Sequence, residues 1–192
     1  PVQDSLIAEK LESNGIKVIS HPAELNYNFF DKNKTKQLLE KNGFVKRAAN
    51  GHGGTLQSME RAKVLEEMKD YGIEWVFING VDNVLVKPVD PLLIGMSIHN
   101  KVLAAAKAIE KTDPKEKVGV LCRKNKKVGV VEYTEISEEM ANLRDDYGSL
   151  VYGDGNAVFH LYNIKGLEKI SQVSLPYHTA VKKANYIDSE GK

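Results

Sequence analysis

Asp82 follows an apolar run, Trp75-Val76-Phe77-Ile78, that reads as a strand buried on both faces. In open α/β sheets, ligands bind beyond the carboxyl ends of the strands. A carboxylate in that place, facing a phosphate, is a natural Mg2+ ligand, because Mg2+ takes one or two carboxylates plus phosphate oxygens. Asp82 and Asn83 also favour turns in which the side chain bonds its own backbone, so their types leave both readings open. Gly51-His52-Gly53-Gly54-Thr55 lies just before a strong helical pattern. Glycines there let backbone approach a ligand, and a helix start offers N–H groups to a base or phosphate. The alternative is a plain glycine-rich loop capped by Thr55.

Three further groups carry suitable chemistry. Glu132 and Glu135 close an apolar run at a spacing of three, which points one acid to a pocket and the other to solvent. A carboxylate is a good acceptor for sugar hydroxyls, although a solvated strand end explains the same pattern. Asn156, Val158, His160 and Tyr162 share one face of a period-two stretch, with Ala157, Phe159 and Leu161 on the core face. The amide of Asn156 and the imidazole of His160 can reach a ligand from that face. A hydrogen-bonded structural role for His160 is the competing reading. Near the end of the chain, His178, Lys182 and Lys183 offer point charges to a phosphate, or simply a solvated surface.

The elements that must position these groups alternate between helix and strand. Short helices are expected at Ser5 to Leu11 and Lys34 to Lys41, with a strand at Ile16 to Ile19 between them. Leu56, Met59, Ala62, Leu65 and Met68 form a three-residue stripe that predicts one continuous helix, closed by Gly72. Pro91 suits the first turn of a helix reaching about His99. Leu103 to Ile109 reads as a strand. Val118 to Cys122 and Val128 to Tyr133 read as a hairpin joined by a basic turn. Ser137 caps a helix to about Asp145, Ala157 to Tyr162 is a strand, Ile164 to Val173 a helix, and Val181 to Ile187 extended. The alternation predicts an α/β layered domain with a mixed, mainly parallel sheet.

Composition excludes some classes of partner. The 192 residues carry a net charge of +1, which gives no bulk electrostatic case for nucleic acid or membrane binding. No apolar run approaches the ~18 residues a membrane helix needs. The first residues lack the pattern of a signal peptide, and Cys122, the only cysteine, fits a reducing cytosol. A cytoplasmic protein is therefore expected.

Six stretches together resemble one family. "GHGG", "GVDNVLVKPVDPLLIG", "AAAKAIEKTDPKEKVGVLCR", "VVEYTEIS", "GDGNAVFHLYNI" and "LPYHTAVKKANYID" are similar, in order and spacing, to UDP-N-acetylglucosamine pyrophosphorylases. These belong to the wider UDP-sugar pyrophosphorylase (UTP:sugar-1-phosphate uridylyltransferase) family. The resemblance runs from about Ala48 to Asp188 and does not extend well into the residues before it. It implies a Rossmann-like nucleotide-diphospho-sugar transferase fold. It also implies that UTP and N-acetylhexosamine 1-phosphate, GlcNAc-1-phosphate first among them, give UDP-N-acetylhexosamine and pyrophosphate. The glucose or galactose version of the reaction and a non-catalytic nucleotide-sugar-binding module are the alternatives.

Carried over by position, the resemblance implies that Gly51, His52, Gly53 and Gly54 line a uridine pocket. It implies that Asp82 holds Mg2+ against the phosphates, and that Glu132 and Asn156 bind sugar hydroxyls and the N-acetyl group. Asn83 and His160 join the substrate-binding set. Lys182 and Lys183, in an HxAxKK segment beside the sugar pocket, join Asp82 as catalytic groups. Three features depart from the family pattern. The glycine-rich triphosphate loop of the family's N-terminal part is absent, His52 replaces a common Asn, and GNAVFHLY replaces the more usual GNIANHFF. The chain is thus expected to be part of a catalytic domain, nearly inactive without that missing N-terminal part.

Overall fold

In the computed structural model, residues 9, 12–15, 17, 27–31, 33–48, 52–80, 83–173 and 184–187 are described. In chain order the elements are β1 (Tyr27–Asn28), β2 (Arg47–Ala48), α1 (Gly53–Arg61), α2 (Val64–Asp70), β3 (Trp75–Asn79) and α3 (Pro91–His99). There follow β4 (Ala104–Glu110), β5 (Val120–Lys124), β6 (Lys127–Val131), α4 (Glu138–Asn142), β7 (Asp154–Asn163) and α5 (Ile164–Ser171). The chain divides into two compact units. One is Pro1–Gly72 with Leu167–Lys192, the other Ile73–Gly166.

The second unit is organised around β7. Phe77 of β3 and Ala105 of β4 both pair with Leu161, so the two strands flank β7 on opposite edges. Both run antiparallel to β7 and therefore parallel to each other. β5 pairs with β7 through Val120 and Gly155, and β6 pairs with β5 in a hairpin. This corrects the expected mainly parallel sheet, because each pairing among the described strands of this sheet is antiparallel. The reason is specific. The β3–α3–β4 segment does have the strand directions of a βαβ unit, but β7 inserts between its two strands.

The core face of β7 carries Leu161, which is 2% exposed, and Val120 of β5 is 1% exposed. Burying such side chains contributes about 1.5–3 kcal/mol each. α3 starts where sequence chemistry places it. The Asp90 carboxylate accepts from the N–H groups of Leu92 (3.0 Å) and Leu93 (3.4 Å), with Pro91 in the first turn. The same carboxylate pairs with Lys107 of β4, and that ammonium above all holds its carboxyl below the ordinary value. α4 is capped by Ser137, whose Oγ accepts from Met140 N at 3.2 Å, but ends earlier than expected, at Asn142.

The first unit departs more from expectation. Residues 34–41 are not a helix. Phe30 bridges Gln37, and Leu39 bridges both Val45 and Ile187, all antiparallel. The Asp31 carboxylate gathers the N–H groups of Thr35 (2.7 Å) and Lys36 (3.0 Å), and Lys34 takes a left-handed φ of 59°. Those local bonds turn the chain where a helix would continue, as Asp side chains do in turns. The continuous helix expected from Leu56 to Tyr71 is broken in two at Lys63, whose φ is 57°. A strict three-residue spacing drifts about 60° per step around a helix of 3.6 residues per turn, so one straight helix cannot bury the whole stripe. The break resets the phase. Met59 (5% exposed) is buried from α1, and Val64 (4%) and Leu65 (5%) from α2, while Ala62 is left exposed. The segments expected at Ser5 to Leu11 and Ile16 to Ile19 lie largely outside the described residues, while of Val181 to Ile187 residues 184–187 are described and Ile187 bridges Leu39.

Candidate functional site

The polar face of β7 is the best-built candidate. Asn156, His160 and Tyr162 pair across β7 with Ala108, Ala106 and Ala104 of β4. Directly opposed residues share a face, so three alanines flank three polar side chains and leave open space beside them. All three alanines are exposed. The expected period-two face is interrupted once. Two residues of β7, Ala157 and Val158, are inserted where β4 steps from Lys107 to Ala108. Val158 has a φ of 58°, a left-handed conformation that is unusual for a β-branched residue and costs about 1–3 kcal/mol.

That bulge aims backbone at a side chain. The Val158 N–H donates to Asn156 Oδ1 at 3.3 Å, and His160 Nε2 lies 3.0 Å from the same oxygen. On the other side of the ring, the Tyr162 hydroxyl is 3.5 Å from His160 Nδ1, with the two rings edge to face at 6.0 Å. Burial pushes the Tyr162 hydroxyl above its ordinary value of 10.0, so it remains a donor. Among the described residues the Asn156 oxygen is engaged twice, and the two N–H donors of the carboxamide are not taken up.

A row of residues extends this face across the sheet. The Asn156 N–H donates to Gly119 O at 2.7 Å, just before β5, and Val120 pairs with both Gly155 and Val131. One step along, Asn156 pairs with Ala108 and bonds Gly119, which directly precedes β5, and Glu132 directly follows β6. A Cβ on Gly119 would lie 3.4 Å from Glu132 Oε2, which puts that carboxylate over the bare glycine. The backbones of Asn156 and Glu132 are roughly two strand spacings, about 10 Å, apart, and the side chains of Val130 and Glu132 reach over the glycine between them. An amide donor and a carboxylate acceptor on one face of a sheet suit a polyhydroxylated ring. Gly119 is a candidate that the residue types alone did not single out. An isolated glycine within a strand pattern is its signal, since it marks close approach of another group.

Both acids at spacing three are exposed. Glu135 Oε2 accepts from Glu132 N at 3.4 Å, and Glu132 O accepts from Glu135 N at 2.9 Å, so Glu135 helps close the turn while Glu132 faces Gly119. Asn83 is engaged by its own turn, its Oδ1 accepting from Leu85 N at 3.1 Å. Asp82, Gly51, His178, Lys182 and Lys183 lie outside the described residues.

In the other unit, α1 begins at Gly53, with an exposed His52 at its N-cap in a helical conformation that makes no side-chain cap hydrogen bond. Thr55 is inside the helix rather than capping it, and its N–H donates to His52 O at 3.1 Å. The first turn carries no acidic residue, which suits N–H groups meant for an external acceptor.

Among the described residues, no group of three or more His, Cys, Asp or Glu side chains is placed to hold a metal. A Mg2+ ion bound with phosphates needs fewer protein ligands than that, one carboxylate sufficing, and β3 ends at Asn79, shortly before Asp82 in the chain.

The family described as UTP–glucose-1-phosphate uridylyltransferase has a sequence profile that matches residues 14–192. The chain belongs to that family. As a uridylyltransferase-family chain, it is 40% identical over 159 residues to the human UDP-N-acetylhexosamine pyrophosphorylase-like protein 1, covering 81% of this chain and 31% of that protein. It is 38% identical over 148 residues to the UDP-N-acetylglucosamine pyrophosphorylase of Saccharomyces cerevisiae, covering 76% of this chain and 31% of the yeast protein. A solved UDP-N-acetylglucosamine pyrophosphorylase from Trypanosoma brucei, in complex with an inhibitor, superposes with a TM-score of 0.71 at 25% identity, over 88% of this chain and 35% of that one. The chain therefore spans about a third of the length of the curated relatives it matches. Among the described residues, no helix is long and apolar enough to cross a membrane.

Proposed function

We propose that this chain supplies the sugar-binding part of a cytoplasmic uridylyltransferase. The enzyme joins UTP and GlcNAc-1-phosphate to give UDP-GlcNAc and pyrophosphate. The observation that carries this reading is the Asn156–Gly119–Glu132 row, in a chain whose relatives carry N-acetylhexosamine in their names. Glu132 accepts from sugar hydroxyls, and the N–H donors of Asn156 meet the carbonyl of an acetamide. The family resemblance assigns the start of α1 to the uridine.

An oxygen of the sugar phosphate attacks the α-phosphate of UTP in line, and pyrophosphate leaves. The attacking oxygen is already anionic, so the chain needs no general base. What it must do is position two anions and offset their charge. Lys182 and Lys183 are assigned to that charge. Asp82 is the residue that would hold Mg2+, which when bound supplies positive charge beside the phosphates.

The test uses the natural full-length polypeptide that carries this sequence, since 192 residues spanning 31% of the human relative are expected to turn over poorly alone. Pyrophosphate release from UTP and GlcNAc-1-phosphate should depend on Mg2+, stop on chelation, and fall about a hundredfold or more in Asp82→Ala. Preference for glucose 1-phosphate would replace the sugar assignment. Binding of UDP-sugars with no turnover of any sugar 1-phosphate would make the chain a binding module instead.

A further inference from the structure

The orientation of the Asn156 carboxamide is fixed by its neighbours rather than by a ligand. A backbone N–H has only a proton to offer, so the side-chain atom that faces Val158 N at 3.3 Å must be the oxygen. The same oxygen faces His160 Nε2 at 3.0 Å, so that nitrogen must carry a hydrogen. In the neutral ring the other nitrogen, Nδ1, is then an acceptor, and the Tyr162 hydroxyl stands 3.5 Å from it. The four groups form one directional chain. Tyr162 donates to His160, and His160 and Val158 donate to Asn156. Among the described residues, the two N–H bonds of the Asn156 amide are left pointing onward.

We propose that His160 is a positioning residue for sugar recognition: by donating from Nε2 it locks the Asn156 amide with its N–H side toward the ligand, and so makes the site select an acetamide carbonyl. This rests on the assignment of the sugar to the Asn156–Glu132 row. The imidazole does not itself touch the sugar. An amide free to flip would present N–H or C=O with similar ease, and half of its orientations would repel the acetamide oxygen. Locking removes that loss before binding, which is how a preorganised site gains affinity. The left-handed Val158 is part of the same device, because its strained backbone brings the second donor round to Asn156 Oδ1.

Two measurements on the full-length polypeptide test this. The first needs no variant. The 15N shifts of selectively labelled histidine report the tautomer of His160, expected to carry its proton on Nε2. A ring protonated on Nδ1 alone would overturn the proposal. The second compares the affinities of UDP, UDP-glucose and UDP-GlcNAc by calorimetry. His160→Leu should weaken UDP-GlcNAc about fivefold to tenfold, the worth of one hydrogen bond, and change UDP and UDP-glucose less than about twofold. His160→Gln, whose amide can still donate to Asn156 Oδ1, should recover most of the loss. An equal loss for all three ligands, or no rescue by Gln, would reduce His160 to a structural histidine and overturn the proposal. Wild-type protein that binds UDP-GlcNAc no more tightly than UDP-glucose would instead sink the sugar assignment, and the selecting role with it.

Discussion

The start of α1 and the polar face of β7 both offer N–H donors to a ligand, but they hold those donors by different means. At α1 the donors are main-chain groups of the first turn, beginning at the exposed Gly53, and the geometry is that of any helix start. Nothing distant has to be right for them to point outward. On β7 the donors belong to one side chain. Its direction depends on a bulge, on the tautomer of His160 and on the register that sets Gly119 beside Asn156. The first kind of site is local and tolerant. The second is only as good as the sheet that carries it, and in return it can discriminate one ligand group from another.

If the β7 site depends on the sheet, then the core face of the same strand should control it. Leu161 is 2% exposed and sits between Phe77 and Ala105 on the side opposite His160. Leu161→Ala should cost about 2–5 kcal/mol, read as a lower urea midpoint with an unchanged slope. It should also loosen the Asn156–His160 contact, visible as loss of the His160 tautomer preference, although the Leu161 side chain lies on the opposite face of β7. A destabilised protein whose His160 signal is untouched would show that the face is held locally after all, and the contrast with α1 would collapse.

A smaller effect is expected at the glycine floor. A Cβ on Gly119 would lie 2.9 Å from Val130 Cγ1 and 3.4 Å from Glu132 Oε2. Gly119→Ala should therefore cost about 1–3 kcal/mol by overpacking and push the Glu132 carboxylate out of line. Affinity for UDP-GlcNAc should fall further than affinity for UDP. Unchanged discrimination between the two would mean that the sugar does not lie over this floor.

How much of this could be read from the chain follows the same division. Features set by neighbours in sequence were legible. Pro91 marked the start of α3 and the basic turn the β5–β6 hairpin, while the glycines read as lying before a helix stand at its start, with Gly53 and Gly54 already inside α1. Features set by distant pairing were not. The β3–α3–β4 segment reads as a parallel pair, and only the arrival of β7 between the strands makes the sheet antiparallel. Residues 34–41 have helical composition, and Asp31 overrides it with two backbone bonds. At the candidate site, residue types pointed to Asn156, Glu132 and His160 as candidates, while the bulge that joins Asn156 to His160 did not show. A valine is among the last residues expected at a positive φ, so no sequence pattern announces Val158.

The mildest change should show the sharpest contrast. Gly53 is exposed and is the first helical residue of α1, without a positive φ that would demand glycine. Gly53→Ala should leave the fold slightly more stable, by a few tenths to about 1 kcal/mol, because alanine loses less backbone entropy than glycine on entering a helix. If the N–H groups of this turn meet a nucleotide closely, the added methyl should weaken UDP at the same time, by a factor of about two to ten. Stability and affinity would then move in opposite directions, whereas in Gly119→Ala both fall together. Should Gly53→Ala gain stability and bind UDP as before, the glycine serves the loop alone, and the face of β7 is left as the part of this chain that reads the ligand.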